Sequence, residues 1–187
     1  MNELDEFERN YGPAQDCERL HDDKIESYAA RIPAQVLDHW RKSGVCSFGD
    51  RLLWFTDPQQ LDDVLEDWLK VFELDSGAVF LRTAFAHLYV WSGGSVCSID
   101  VHEGGFSKVT DDLELFFSLL SDDDIREKIL RVSLYEEVKE RLGPPERDEC
   151  YAFVPALALG GPGTADSVQR VKLREHLGIL AQLVLDG

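Results

Sequence analysis

DECYAFVPALALGGP, residues 148–162, is the most apolar window of the chain, and the fold is read outward from it. Its side chains alternate with the two-residue period of a strand. Tyr151, Phe153, Leu157 and Leu159 fall on one face, and Ala152, Val154, Ala156 and Ala158 on the other. One face can therefore carry a core while the small-residue face takes a closely packed helix. Pro155 lacks a ladder donor, which predicts an edge strand or two short strands divided at that point. Gly160-Gly161-Pro162-Gly163 stops the run. Beyond it, a cap at Thr164 or Asp166 and the spacing of Val168, Val171, Leu173, Leu177, Leu180 and Val184 predict a helix to the C-terminus.

Upstream, the sequence predicts a helix over 133–142 ended by Gly143-Pro144-Pro145, and a shorter helical segment opened by Asp122, Asp123 and Asp124. Another helix, capped by Thr110, carries Leu113, Phe116, Phe117 and Leu120 inward, with Leu115 and Leu119 widening the stripe. Strands are expected at 79–83, 87–91, 95–99 and 106–109, broken by Gly93-Gly94 and Gly104-Gly105 in the manner of antiparallel turns. The first part reads as a helix over 2–10 with Leu4 and Phe7 inward and a loop over 14–21. A helix capped at Asp22 or Asp23 follows, and Pro33 precedes one holding Val36, Leu37 and Trp40. A hairpin over 45–55 comes next. The expected fold is α+β, an antiparallel sheet covered by several helices in a single compact unit, with the 150–159 strand added late.

The residues also carry a family resemblance. YAFVPALALGGP at 151–162 followed by HLGILAQL at 176–183 resembles the C-terminal signature of Tdi-type immunity proteins of bacterial type VI secretion. Tyr11-Gly12-Pro13, Pro33 with LDHWRKSG at 37–44, RLLWFTDP at 51–58 and RTAFAHLYVW at 82–91 resemble the GAD-like domain that accompanies it. The resemblance implies a GAD-like region over 1–110 and a Tdi-type region over 111–187 sharing one core. It further implies a cytoplasmic immunity protein that binds and neutralises a cognate secreted nuclease, typically a DNase. Its motifs are packing and turn residues, so it carries over no catalytic position.

Bulk charge narrows the partner class. The chain has 36 Asp and Glu against 19 Lys and Arg, a formal charge of -17. Phosphate backbones are recognised by Lys and Arg footprints, so direct nucleic-acid binding is excluded and a basic protein partner is favoured. No window reaches the ~18 apolar residues of a membrane span, and residues 1–20 lack a basic end and an apolar run. Cys17, Cys46, Cys97 and Cys150 are too widely spaced for a zinc motif, so reduced thiols in the cytoplasm are the expectation.

Motifs for chemistry are missing. Gly93-Gly94-Ser95 is followed by Cys97 where a nucleophile elbow needs Gly, and GGPGT at 160–164 lacks the Gly-Lys-Ser/Thr of a phosphate loop. His21, His39, His87, His102 and His176 show no ligand spacing, and the Asp122–Asp124 run lacks the pattern of a calcium loop. No catalytic residue, metal or cofactor is therefore expected, and the chain is read as a binding protein, not an enzyme. The clearest amphipathic helix, over 57–69, sets Leu61, Val64, Leu65, Trp68 and Leu69 against Asp62, Asp63, Glu66 and Asp67. Those four carboxylates are the nominated toxin contact, with Asp122–Asp124 and Glu136, Glu137 and Glu140 as alternatives. The competing functions are a small-ligand or enzymatic domain with a pocket between the sheet and the C-terminal helix, or a regulatory interaction module.

Overall fold

Seven strands run as a meander, each antiparallel to its neighbour in sequence. In this computed structural model, which describes residues 3–185, they are β1 (Gln15–Glu18), β2 (Val45–Phe48), β3 (Leu53–Phe55), β4 (Ala78–Thr83), β5 (Leu88–Ser92), β6 (Ser95–Asp100) and β7 (Gly105–Thr110). Gly93 and Gly94, with φ of +57° and +77°, close the β5–β6 hairpin in the positive-φ turn that matches the twist of paired strands. The α-helices among the described residues are α1 (Glu3–Tyr11), α2 (Asp22–Ser27), α3 (Ala34–Ser43), α4 (Asp62–Val71), α5 (Leu113–Leu120), α6 (Asp123–Lys128), α7 (Val132–Leu142) and α8 (Leu173–Leu185).

The sheet separates two hydrophobic clusters. The larger gathers Phe7 of α1, Trp40 of α3, Phe48, Phe55 and Phe80 of the strands, Phe116 and Phe117 of α5 and Tyr135 of α7. Phe7 meets Phe48, Phe55 and Phe117 edge-on at centroid distances of 5.1, 6.4 and 5.4 Å, an arrangement aromatic quadrupoles favour. The smaller cluster lies on the opposite face, where Leu65 and Trp68 of α4 and Leu177 and Leu180 of α8 cover Leu88, Val90 and Ile99.

The apolar stretch at 148–162 joins the two. Its strand β8 (Glu149–Phe153) pairs with β9 (Val168–Lys172) in a separate ribbon. Tyr151 and Phe153 point into the larger cluster, while Cys150 faces the α4–α8 side, so both faces are buried as the alternation required. The Tyr151 N–H donates to the Ala84 carbonyl at 2.8 Å and ties the ribbon to the end of β4.

Several expectations need correction. The 14–21 segment contains β1 in place of a loop, because its exposed residues show no apolar alternation for a strand to be read from. That strand brings Cys17 beside Cys46 of β2, and the two form a disulfide with Cα atoms 4.1 Å apart, so only Cys97 and Cys150 are free thiols, both buried. The 150–159 strand stops at Phe153, and a 3-10 turn (Leu157–Leu159) leaves Leu159 65% exposed. It joins the ribbon, not the main sheet. The C-terminal helix starts at Leu173, since Val168 and Val171 belong to β9. Asp57 does cap, accepting from the Gln59 N–H at 3.3 Å, but it caps a 3-10 turn (Pro58–Gln60), and α4 begins at Asp62. Asp112, not Thr110, caps α5, and Leu115 is exposed. No side-chain cap precedes α2, where Asp22 and Asp23 are its first helical residues. Asn2 and the Leu4 side chain lie outside the described residues.

Phe153 is buried to 1% and stacks on Phe85 with centroids 5.8 Å apart. Phe153→Ala is expected to lower stability by about 3–5 kcal/mol through lost burial and the remaining cavity. Urea denaturation would check this, and an unchanged midpoint would contradict the core assignment.

Candidate functional site

Helix α4 is held by its apolar stripe. Leu65 and Trp68 are buried against α8, and the Trp68 indole N–H donates to the Leu177 carbonyl at 3.2 Å. This fixes the outward face, where the nominated carboxylates stand in different situations. Asp62 accepts two bonds from the Arg31 guanidinium, at 2.6 and 3.1 Å, which links α4 to the turn after α2. Asp63 accepts from Arg174 of α8 at 2.5 Å, and that bond holds its carboxyl below the usual carboxylate range. Asp67 pairs with Lys70 at 3.1 Å. Among the described residues Glu66 has no cationic partner. The four thus lie on one helix as expected, but three are already engaged within the chain.

The alternative acidic runs also divide. Asp122 caps α6 by accepting from the Asp124 and Ile125 N–H groups at 3.0 and 3.2 Å. Asp124 lies 3.7 Å from Lys128. Glu136 pairs with Lys139 at 2.7 Å, whereas Glu137 and Glu140 are exposed on α7. Helices α5 and α6 leave an apolar groove of about 210 Å³ against β5–β7. Leu119, Ile125 and Ile129 line it, and exposed Asp111, Glu114 and Asp123 lie on the segments that form it. Of this lining, Phe116, Leu119 and Leu120 belong to the α5 core stripe expected from the sequence and Ile125 and Ile129 to no expected stripe, so the surplus of Leu115 and Leu119 is the signal of more apolar surface than the core takes.

Among the described residues, no group of three or more His, Cys, Asp or Glu side chains is placed to hold a metal ion. His39 packs on Phe55 at 4.6 Å, and His102 bonds through Nε2 to the Phe85 carbonyl at 2.8 Å and meets Phe153 edge-on. Half-buried His176 lies 5.5 Å from the His102 ring. Desolvation pulls His39, His87, His102 and His176 down to about 4. Neutral packed rings of this kind suit a core. Burial likewise pushes the Cys150 thiol up to about 12, which leaves it un-ionised. No helix among the described residues is long and apolar enough to cross a membrane.

Comparison with known proteins adds family information. Residues 2–103 match the GAD-like domain, and residues 110–184 match the C-terminal domain of the type VI secretion immunity protein Tdi1. Together the two matches support an immunity role in type VI secretion and agree with the resemblance read from the motifs. No curated protein is similar enough to count as a match. The crystal structure of Atu4351 from Agrobacterium tumefaciens superposes with a TM-score of 0.73 at 16% identity, covering 94% of this chain and 86% of that one. At that identity the likeness speaks for the fold.

The buried histidines set an acid limit on the fold. Their pKa in the folded chain lies below the unfolded value near 6.5, so their contribution is complete above that pH and is lost as pH falls toward 4. The lowered carboxylates Asp16, Asp63 and Asp148 contribute stability that is present above their ordinary value of 3.8 and is lost as pH falls below it, so they change little between pH 7 and pH 5. Between pH 7 and pH 5 stability should therefore drop by about 1–2 kcal/mol for each of His39, His87 and His102. Urea titrations at the two pH values check this; equal stabilities would show that these rings are not buried in neutral form.

Proposed function

We propose, since this chain belongs to the GAD-like family and its C-terminal part matches the immunity protein Tdi1, that it binds and neutralises a cognate type VI toxin and that this toxin is a nuclease acting on DNA. The match over 110–184 carries the immunity reading. The nuclease reading rests on charge. A nuclease cleft is positively charged because it must hold phosphates, and a partner of charge -17 is attracted to it over long range. Neutralisation belongs in the cytoplasm, where a delivered nuclease meets DNA. In that compartment the Cys17–Cys46 pair is expected as two thiols, since cytosolic cysteines are kept reduced.

The contact is proposed on the outer face of α4. Arg31 and Arg174 fix Asp62 and Asp63 there, so those side chains lose little freedom on binding, and Glu66 offers an unengaged carboxylate beside Asp67. The acidic surroundings of the α5–α6 groove are the second reading, favoured by the apolar Leu115 and Ile129, which are 49% and 37% exposed.

The toxin encoded next to this protein supplies the test. It should form a complex with this chain and lose its DNA cleavage on binding. Glu66→Lys should slow association by roughly tenfold at low salt, and by less at high salt, while stability moves by less than about 0.5 kcal/mol. Asp63→Lys is the poorer probe because it also breaks the pair with Arg174. If Asp123→Lys slows association and Glu66→Lys does not, the contact moves to the α5–α6 surface. A partner that cleaves no nucleic acid would overturn the nuclease assignment, and a neighbouring toxin that does not bind would overturn the immunity role.

A further inference from the structure

Arg82 sits on β4, fourth of the seven strands, with its side chain completely buried. Its guanidinium donates to the Thr83 carbonyl at 3.2 Å and the Arg147 carbonyl at 2.7 Å. Its Nε–H has no acceptor, and no carboxylate lies within ion-pair distance among the described residues. Cys150, nearby, is a neutral thiol, and the Asp148 carboxylate acts on Arg82 from beyond ion-pair distance. A guanidinium taken from water without a paired anion is one of the costliest groups a core can hold.

A second unmatched donor stands beside it. Trp54 of β3 is the cross-strand partner of Arg82, and its buried indole N–H also lacks an acceptor. The guanidinium carbons of Arg82 and Arg147 each lie 5.2 Å from the Trp54 ring centroid, so two cations share one aromatic ring. The nearest acid to Arg147, Glu18, is 3.6 Å away and about half exposed.

Space adjoins Arg82 and Trp54. Trp54, Arg82 and Arg147 line a small void of about 20 Å³. Gln60, Leu61, Arg147 and Leu173 line both that void and an open cleft of about 620 Å³ between the 58–60 turn, the 146–148 segment and the start of α8.

We propose that this cleft binds a small organic carboxylate, one oxygen reaching the void beside Arg82 and Trp54 and the apolar remainder lying against Leu61 and Leu173. The dimensions select the anion. A void of about 20 Å³ admits a single water-sized oxygen, so the rest of the anion lies in the cleft, where Leu61 and Leu173 suit an apolar body better than the remaining oxygens of a phosphate. Glu146 and Asp148 line the cleft together with Arg147 and Arg174, and Arg51 and Lys172 pair with the two acids at 2.7 Å each, so the cleft holds no surplus of charge beyond what one anionic group would answer. A monoanion with an aliphatic or aromatic body fits both constraints. Arg174 lines the cleft and also pairs with Asp63 of α4, so the cleft borders the proposed toxin contact, but carboxylate binding is tested without the toxin and stands or falls separately from it.

The Trp54 indole N–H gives a direct reporter. Hexanoate, benzoate and inorganic phosphate would each be titrated into the full chain while that proton is followed by NMR. The two carboxylates should move it saturably at concentrations on the order of millimolar, the affinity range of ligands this small, and phosphate should not. Arg82→Met should weaken carboxylate binding by at least about tenfold, since it removes the charge-assisted donor. Gln60→Trp, at an exposed position, should hinder access while leaving Arg82 in place. No shift of Trp54 with either carboxylate would overturn the proposal and leave a single water as the occupant of the void. An equal response to phosphate would overturn the carboxylate assignment, as would undiminished binding in both variants.

Discussion

A strand buried on both faces constrains how the rest of this molecule is assembled. Glu149–Phe153 sends Tyr151 and Phe153 into the aromatic core and Cys150 toward α4 and α8, so neither cluster closes without it. A strand in that position must also place its backbone groups. It does so through β9 and through the Tyr151 N–H on Ala84. The segment leading into it is fixed by bonds to distant carbonyls. Arg82 donates to Arg147 at 2.7 Å, Arg147 to Val45 at 3.2 Å, and Tyr151 to Gly143 at 2.6 Å. Each such bond contributes on the order of 1 kcal/mol, but all join residues beyond 140 to one another or to the main sheet, so they act on one joint.

The same economy governs the charges. With 19 cationic residues against 36 acidic ones, the cations determine which carboxylates remain available to a partner. Arg51 takes Asp16 and Glu146, Lys139 takes Asp50 and Glu136, Arg31 takes Asp62 and Arg174 takes Asp63. Exposed pairs of this kind stabilise by about 0–1 kcal/mol each. Their larger consequence is geometric, because they cross-link separate elements and remove local surplus charge from the surfaces they occupy. Acidity that looks uniform along the sequence is therefore uneven on the folded chain.

Much of this architecture was legible because burial leaves a period in the sequence. The helices α3, α5 and α7 follow helical apolar spacing, the two-faced character of 149–153 follows alternation, and the strands from 78 to 110 follow β-branched and aromatic content punctuated by turn glycines. What escaped lacked such a signal. β1 is exposed along its length, so Gln15–Glu18 gives no alternation, and the Cys17–Cys46 proximity was invisible with it. β9 failed for the opposite reason. Val168 and Val171 suit a helical stripe and a short strand equally, and the pairing of Phe153 with Val168 decides between them. The site followed the same division: periodicity located the acidic face of α4, but ion pairing of its carboxylates depends on Arg31 and Arg174, which come from other parts of the chain. Arg82 left one trace, an arginine inside the apolar run AVFLRT at 78–83, which also forms part of the motif carrying the family resemblance.

Charge at the surface and charge in the core obey different physics in this protein. The carboxylates on α4 and α6 face solvent, so their pull on a basic partner fades over a Debye length of about 8–10 Å at ordinary ionic strength. Arg82 is screened by neither water nor salt, and its field acts at short range on whatever enters beside Trp54. An apolar residue of similar volume in its place would remove the desolvation penalty, so the guanidinium is poorly explained as a contribution to stability. Its two carbonyl acceptors explain part of its position, because the bond to Arg147 holds the segment that leads into β8. They leave the Nε–H unanswered. A donor on a residue that lines a void next to an open cleft, beside a second residue with an unmatched N–H, has the features of a preorganised anion site, with the desolvation already incurred on folding so that little remains to be incurred on binding.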